Sequence, residues 1–590
     1  MAAKKNSYSV ESLFKRLKIF KVILSLGVLI IIFRLAFWQI WKHTELSAAA
    51  ANQYESNQRL SPQRGNILDN QGRALVGNVE QYVLFAQPHI MTDDIKKIVD
   101  QLAPVLQENL IAEASPIEAT DEGWLKDTKQ SIEDRLGQQL SDKSKKWVAL
   151  ATGLSRQQKQ VIENFKIHGL GFDSMSVRAY PDASLSAHLL GFVGKTQTGD
   201  DQGYFGLEGF YDLELQGRGG LLRQQKTAIG LPLLLEAGQR VSQEQGATLK
   251  LTINRQLQFV VEQKLKDSLI HYGAKSGEVI IMDPQTGAIL TMASFPNYDP
   301  SDFSSYPSEY YRNPTVSELY EPGSTMKIVT MAAGIESGAV NPETTCDRCS
   351  GPRVINNYQI KTWNEVYNPN INMWDALAKS DNTAMVFVQE RIGRDRFLQI
   401  LRDFGFAEPT NIDLQGEATY NFRANEQWRP IDTATASFGQ GIATTSIQLL
   451  RAAAAIANGG RLIQPFVVSE VIQEDSISKT TPKIIRQVIS SETAATVTEM
   501  MAYTAQHGDA QWALPEGVEV AGKTGTAQIA GEGGYLEDKT IASFIGFAPA
   551  NDPKFVMLVK LNEPSSSPWG SETAAPLWFA ILPEVLKWYN

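Results

Sequence analysis

Three short strings occur once each in the chain, in this order: Ser-Thr-Met-Lys at 324–327, Ser-Asp-Asn at 380–382 and Lys-Thr-Gly-Thr at 523–526. A serine hydroxyl is a poor nucleophile until a base takes its proton. Ser324 and Lys327 are three residues apart, which puts both on one helix face, one turn from each other. A lysine can act as that base if burial lowers its pKa and leaves the neutral amine accessible. A helix N-terminus at Ser324 would also favour developing negative charge. The hydroxyl of Ser380 can relay a proton between Lys327 and a leaving amine, and the amide of Asn382 can hold a substrate carbonyl. Ser, Asp and Asn are equally the favoured N-cap residues of a helix, and taken alone the string reads as a cap. Lys523 with the hydroxyls of Thr524 and Thr526 suits a substrate carboxylate. Gly525 lets a substrate backbone come close to a strand. Backbone N–H groups there and at Ser324 can form an oxyanion hole. Each string alone is weak, because most Ser-x-x-Lys segments are solvated helix faces and Lys-Thr-Gly-Thr can be an exposed turn. In order, across a domain-sized stretch, they describe serine acyl transfer on a carboxylate-bearing peptide.

These residues need a scaffold. Glu321-Pro322-Gly323 reads as a loop, and Ser324 opens an apolar helix that runs to about Ser337, with Gly338 as its stop. A second domain begins near Gly246. Residues 247–253 alternate as a strand should, and 254–270 follow a helical pattern. Residues 278–282 and 288–293 flank the turn Asp283-Pro284-Gln285-Thr286-Gly287, a hairpin signature. Residues 518–529, 540–548 and 554–561 are further strand candidates, and 294–517 is mainly helical in pattern. The terminal strands of this domain can pair as one antiparallel sheet of about five strands with helices packed on it. Residues 573–589 supply a last apolar helix. Upstream, Asp69-Asn70-Gln71-Gly72 is a turn between short apolar segments. Residues 42–60 read as a polar helix, 91–170 as charged helical stretches with little strand character, and 171–250 as a Gly-rich mixed region.

Residues 19–41 reach the roughly 20 residues that a membrane-spanning helix needs. Trp38 and Trp41 suit an interfacial belt. Lys4, Lys5, Lys15, Arg16 and Lys18 precede the span against the single acid Glu11, a bias that keeps the N-terminus in the cytoplasm. The alternative is a cleaved signal peptide, for which the alanines at 48–51 offer a cleavage-like site. The length of the span and its aromatic far end favour an anchor.

A chain of 590 residues is too long for one core and divides into domains. Apolar content of 43% and charged content of 20% are ordinary for a globular protein. A net charge of −10 argues against nucleic-acid binding. Cys346 and Cys349 are the two cysteines, too few for a disulfide scaffold or a four-sulfur zinc site. They are two free thiols or one local disulfide.

The ordered trio resembles the penicilloyl-serine transferases, and the wider chain resembles the class B penicillin-binding proteins. The wider likeness rests on Arg64-Gly65-Asn66-Ile67-Leu68-Asp69, on Arg178-Ala179-Tyr180-Pro181 with Ala187-His188-Leu189-Leu190-Gly191, and on Gly206-Leu207-Glu208 with Tyr211, Leu215 and Gly217. Ser437-Phe438-Gly439-Gln440-Gly441-Ile442, with Thr444 and Gln448, extends it into the catalytic domain. The resemblance implies an α+β multidomain chain: a cytoplasmic tail (1–18), a transmembrane helix (19–41), an elongated mixed α/β pedestal of dimerisation type (42–245) and a transpeptidase domain (246–590). It implies that Ser324 is acylated, that Lys327 is its base and that Ser380 and Asn382 relay protons and position substrate. Lys523, Thr524, Gly525 and Thr526 would bind the carboxylate and build the oxyanion hole, with no metal and no cofactor. The implied partners are peptidoglycan stem peptides, β-lactams, the membrane and a polytopic glycosyltransferase with other division or elongation proteins. The length, the single anchor and the Glu-Pro-Gly-Ser-Thr context resemble the division-specific FtsI type. The elongation-specific penicillin-binding protein 2 type is the rival, favoured by Asp381 and disfavoured by the lack of His in 325–379. A β-lactam sensor and a D,D-carboxypeptidase or other hydrolase are the remaining alternatives.

Overall fold

The computed structural model describes residues 10–47, 55–60, 62–113, 120–225, 240–531 and 534–589. Lys4, Lys5 and the alanines at 48–51 lie outside the described residues. The chain forms two compact units, Met1–Pro62 with Arg218–Glu244, and Gln63–Gly217 with Gln245–Asn590.

In the first unit, helix Val10–Ala36 continues into a π-helical turn, Phe37–Trp41. Ser12–Trp41 is long and apolar enough to cross a membrane, and none of its most apolar stretch is buried in the protein. The polar helix expected over 42–60 does not extend that far. Glu55–Leu60 is a strand, paired antiparallel with Gly220–Gln225, which in turn pairs with Arg240–Val241. Its residues, Glu-Ser-Asn-Gln-Arg-Leu, carry no apolar alternation. The partner that makes them a strand is remote in sequence.

The second unit holds two large sheets. In the first, Ile67–Leu68 turns through Asn70–Gly72 into the long strand Ala74–Ala86, which pairs with both Val148–Leu154 and Leu170–Ala179. Leu84, Leu102, Leu136 and Leu154 belong to its core, packed with three helices, Ile95–Glu113, Glu122–Ser141 and Arg156–Asn164. Thr248–Leu251 joins this same sheet. It runs parallel to Ile67–Leu68 and antiparallel to Val468–Gln473. Alternation over 247–253 does mark a strand, but the strand does not enter the catalytic sheet.

That second sheet has five antiparallel strands, as expected. In chain order the elements that build the lobe are α1 (Arg255–Tyr272), β1 (Ser276–Met282), β2 (Ile289–Phe295), α2 (Lys327–Glu336), α3 (Asn382–Ile392), α4 (Ser446–Ala457), α5 (Ser491–His507), β3 (Ala521–Gly531), β4 (Gly534–Ala548), β5 (Phe555–Asn562) and α6 (Ala574–Leu586). The strand order is β2-β1-β5-β4-β3, which leaves β3 at an edge. Both faces are covered, so the inner strands read as continuous apolar runs rather than alternations. On one face Val279, Ile281, Phe555, Met557 and Val559 pack with Val261 of α1 and Trp578 of α6. The opposite face, with Ile280, Met282, Val556 and Leu558, packs on a helical lobe built round α4, whose twelve residues are all buried. A helix that is apolar nearly all round belongs in such a core. Strands Arg461–Ile463, Val468–Gln473, Ser476–Lys479 and Ile484–Gln487 interrupt the segment expected to be mainly helical. Cys346 and Cys349 form a disulfide with a Cα–Cα distance of 5.6 Å.

Candidate active site

Ser324 sits on a 3-10 turn, Gly323–Met326, that runs straight into α2 at Lys327. Gly323 has φ +57°, and a Cβ there would lie 3.0 Å from the Cβ of Ala527 on β3. The turn that carries Ser324 is thus pressed against the edge strand, at a conformation that glycine adopts without strain. Helix α2 ends at Gly338, φ +67°, where the sequence placed its stop.

Lys327 is fully buried. Its Nζ donates to the Ser380 carbonyl oxygen (2.6 Å), to Ser380 Oγ (3.0 Å) and to Asn382 Oδ1 (2.7 Å). Asn382 Nδ2 donates onward to the Lys361 carbonyl at 2.8 Å. Between them, Asp381 caps α3, its Oδ1 accepting from Thr383 N at 2.8 Å and Ala384 N at 3.1 Å. The N-cap reading of Ser-Asp-Asn holds for Asp381. The middle residue is the cap, and the residues on either side face the lysine.

Lys523 is 1% exposed, on the helical-lobe face of β3. Its Nζ donates to the Thr524 carbonyl at 3.0 Å and lies 3.3 Å from Thr524 Oγ1. A Cβ at Gly525 would stand 2.8 Å from Thr325 Cγ2, so β3 and the Ser324 turn touch at that point. Thr526 Oγ1 accepts from Gly570 N at 3.0 Å. Ser324, Asn382 and Thr526 line one cleft of about 530 Å³. Lys327 and Ser380 stand behind Asn382 at its wall, and Lys523 and Gly525 are on the strand that supplies Thr526. All three strings converge on this cleft.

Electrostatics separates the two lysines. Burial, with the Lys523 charge adding to it, holds the Lys327 amine well below the ordinary lysine pKa. Burial also lowers Lys523, to about 8, while the Asp509 carboxylate pulls it back up. Asp509 acts on both ammonium groups, and the sequence did not single it out. It follows α5 closely, with no motif around it. The sequence also gave no sign of Trp363 and Trp569, whose rings meet edge-on at 5.0 Å on the cleft wall. Both lie in loops, where no periodicity marks them. Tyr535, near the start of β4, was not singled out either. Its hydroxyl donates at 2.9 Å to Oε2 of Glu321, three residues before Ser324. The site therefore holds a serine hydroxyl at the cleft, an amine one helical turn further along the chain that burial holds well below the ordinary lysine pKa, a second amine that keeps its charge more readily, and a hydroxyl-bearing edge strand. It can generate an alkoxide and hold an anion.

Known proteins resemble this chain over most of its length. Residues 277–583 match the penicillin binding protein transpeptidase domain, and residues 59–251 the penicillin-binding protein dimerisation domain. Stage V sporulation protein D of Bacillus subtilis is 33% identical over 95% of this chain and 83% of its own length. Peptidoglycan D,D-transpeptidase FtsI of Escherichia coli is 28% identical over 90% of this chain and 85% of its own. The crystal structure of penicillin binding protein 2X from Streptococcus thermophilus superposes with a TM-score of 0.75 at 22% identity, covering 90% of this chain and 80% of that one. The chain belongs to the class B penicillin-binding proteins, peptidoglycan D,D-transpeptidases with a dimerisation domain ahead of a transpeptidase domain.

Proposed function

We propose that this transpeptidase cross-links peptidoglycan stem peptides by two-step acyl transfer through Ser324. The observation that carries the reading is the Lys327 amine, buried, driven toward its neutral form and one helical turn from Ser324 at the cleft. In the first step Lys327 takes the Ser324 proton, and Oγ attacks the carbonyl of the penultimate D-alanine. Backbone N–H groups at Ser324 and Thr526 stabilise the oxyanion. Ser380 Oγ, 3.0 Å from Lys327 Nζ, passes the proton to the leaving nitrogen, and the C–N bond breaks to release D-alanine. An amine of a neighbouring stem peptide then attacks the acyl-enzyme and restores Ser324. Lys523, with Thr524 and Thr526, holds the terminal carboxylate of the donor, Gly525 admits its backbone and Asn382 holds its amide. A β-lactam would occupy the donor position and acylate Ser324.

Lys15, Arg16 and Lys18 at the N-terminal end of the apolar helix support an N-terminus in the cytoplasm and a catalytic domain beyond the membrane. The matched segments 59–251 and 277–583 support a pedestal over 42–245 and a transpeptidase domain over 246–590. The resemblance to FtsI supports a role in septal wall synthesis, beside a polytopic glycosyltransferase that binds near the membrane helix. Labelled penicillin should attach to the wild-type chain and not to Ser324→Ala; equal labelling of both removes Ser324 from the reaction. Depletion should give filaments, whereas swollen round cells would assign the enzyme to elongation. Failure to co-purify with a glycosyltransferase from detergent, where other membrane complexes survive, would count against that partner.

A further inference from the structure

A buried ion pair joins β1 and β5 of the catalytic sheet. Lys560 on β5 and Glu278 on β1 are register partners, with Nζ 2.5 Å from Glu278 Oε1, and they are 1% and 2% exposed. They interrupt a face that is otherwise Ile280, Met282, Val556 and Leu558. Burying such a pair usually gains little stability over apolar residues of similar volume. Its contacts point elsewhere.

The pair touches segments that lead to the cleft from two sides. Lys560 Nζ lies 4.4 Å from the centre of the Tyr320 ring, four residues before Ser324. Glu278 Oε2 accepts from Ser446 Oγ at 2.7 Å, where α4 begins. Tyr320 and Thr444 exchange backbone hydrogen bonds of 3.0 and 2.9 Å, and Gly323 N donates to the Gly439 carbonyl at 3.0 Å. The Ser324 turn and the 437–445 segment are therefore tied together above the pair. On the other side Lys560 is the register partner of Ser543, and Ser543 that of Gly525. A Cβ at Gly525 would lie 2.4 Å from Ser543 Oγ. Glu318 is the only other charged group among the described contacts of Lys560, 3.9 Å away and largely exposed.

We propose that Glu278 and Lys560 are positioning residues, a fixed polar joint that sets the nucleophile turn, the 437–445 segment and the Lys-Thr-Gly-Thr strand relative to one another. The proposal rests on Ser324 being the acylated residue. The test uses the full chain in detergent and follows penicillin acylation of Ser324 and thermal unfolding together. The double variant Glu278→Met with Lys560→Met removes both charges and keeps the volume. It should unfold at or above the wild-type temperature, yet its acylation rate constant at saturating penicillin should fall about 10- to 100-fold, the scale of a misplacement of about 1 Å. The concentration giving half-maximal rate should change far less. Acylation within about twofold of wild type in a stable double variant overturns the proposal. Tyr320→Leu, which removes the phenol over Lys560 and leaves both charges in place, keeps the test open if the double variant does not fold. It should lower the same rate constant at least about threefold, and an unchanged rate refutes the joint. Absence of labelling at Ser324 in the wild type would instead defeat the underlying acyl-transfer reading.

Discussion

Gly525→Ala tests the contact between the edge strand and the nucleophile turn. The added methyl would stand 2.4 Å from Ser543 Oγ and 2.8 Å from Thr325 Cγ2. Ordinary contact begins at about 3.4 Å, so the buried Ser543 and Thr325 side chains must rotate into their packed surroundings, or β3 must shift by about 1 Å from the turn. Overpacking of this kind costs about 1–3 kcal/mol. A shift of that size in reacting groups lowers the rate about 100-fold. Gly522→Ala is a matched control on the same strand. Its methyl would meet Phe544 Cζ at 2.4 Å, on the α1/α6 side away from the cleft. Both variants should lose similar stability in thermal unfolding, but only Gly525→Ala should lose about two orders of magnitude in penicillin acylation. If Gly525→Ala acylates within about threefold of wild type, or Gly522→Ala is equally slow, the reasoning fails.

Lys327→Met should reduce acylation about a hundred- to ten-thousandfold, the usual contribution of a general base, while the chain still unfolds cooperatively on heating. Because burial lowers Lys523 to about 8, its cation is lost as pH rises through that value. Second-order acylation should therefore fall above about pH 8, as measured by a pH series of labelling rates. Stability from this group runs the other way. The penalty on the buried cation is complete below about pH 8 and is relieved toward its unfolded pKa of 10.5, so thermal unfolding should not show the same decline. Asp509→Asn removes the charge that holds Lys523 up and should move the alkaline limb to lower pH; an unmoved limb would show that Asp509 does not act on Lys523.

The site was legible because its residue types and order are themselves the signal. One helix end was legible for a similar reason: Gly338, φ +67°, follows α2 where a stop was expected. Pairing was not. Alternation in Thr248–Leu251 is the same whichever sheet receives it, and the choice is made by Ile67–Leu68 and Val468–Gln473, far off in sequence. Glu55–Leu60 becomes a strand through Gly220–Gln225, with no local pattern to announce it. Val148–Leu154 was hidden among helical stretches for the same reason. The cysteine pair stayed open between thiols and disulfide until its geometry was known. The Trp363 and Trp569 wall is assembled from two loops and has no signature in either.

Two lysines in one site must do opposite things, and the fold separates them by what surrounds each. Lys327 points from a helix into three oxygen acceptors, none of them a carboxylate, so no direct partner offsets the loss of water round a charge. Lys523 comes from the sheet; Asp509 raises it, just as Asp381 and Asp509 raise Lys327, so the carboxylates do not tell the two amines apart. The Lys523 cation also acts on Lys327 and is the second cause, after burial, of its lowered pKa. Anion recognition and base strength are thus coupled through one charge: the same cation that suits a carboxylate helps keep the neighbouring amine neutral. The edge position of β3 leaves one side of the strand that carries Lys523 free for substrate, which an interior strand would not.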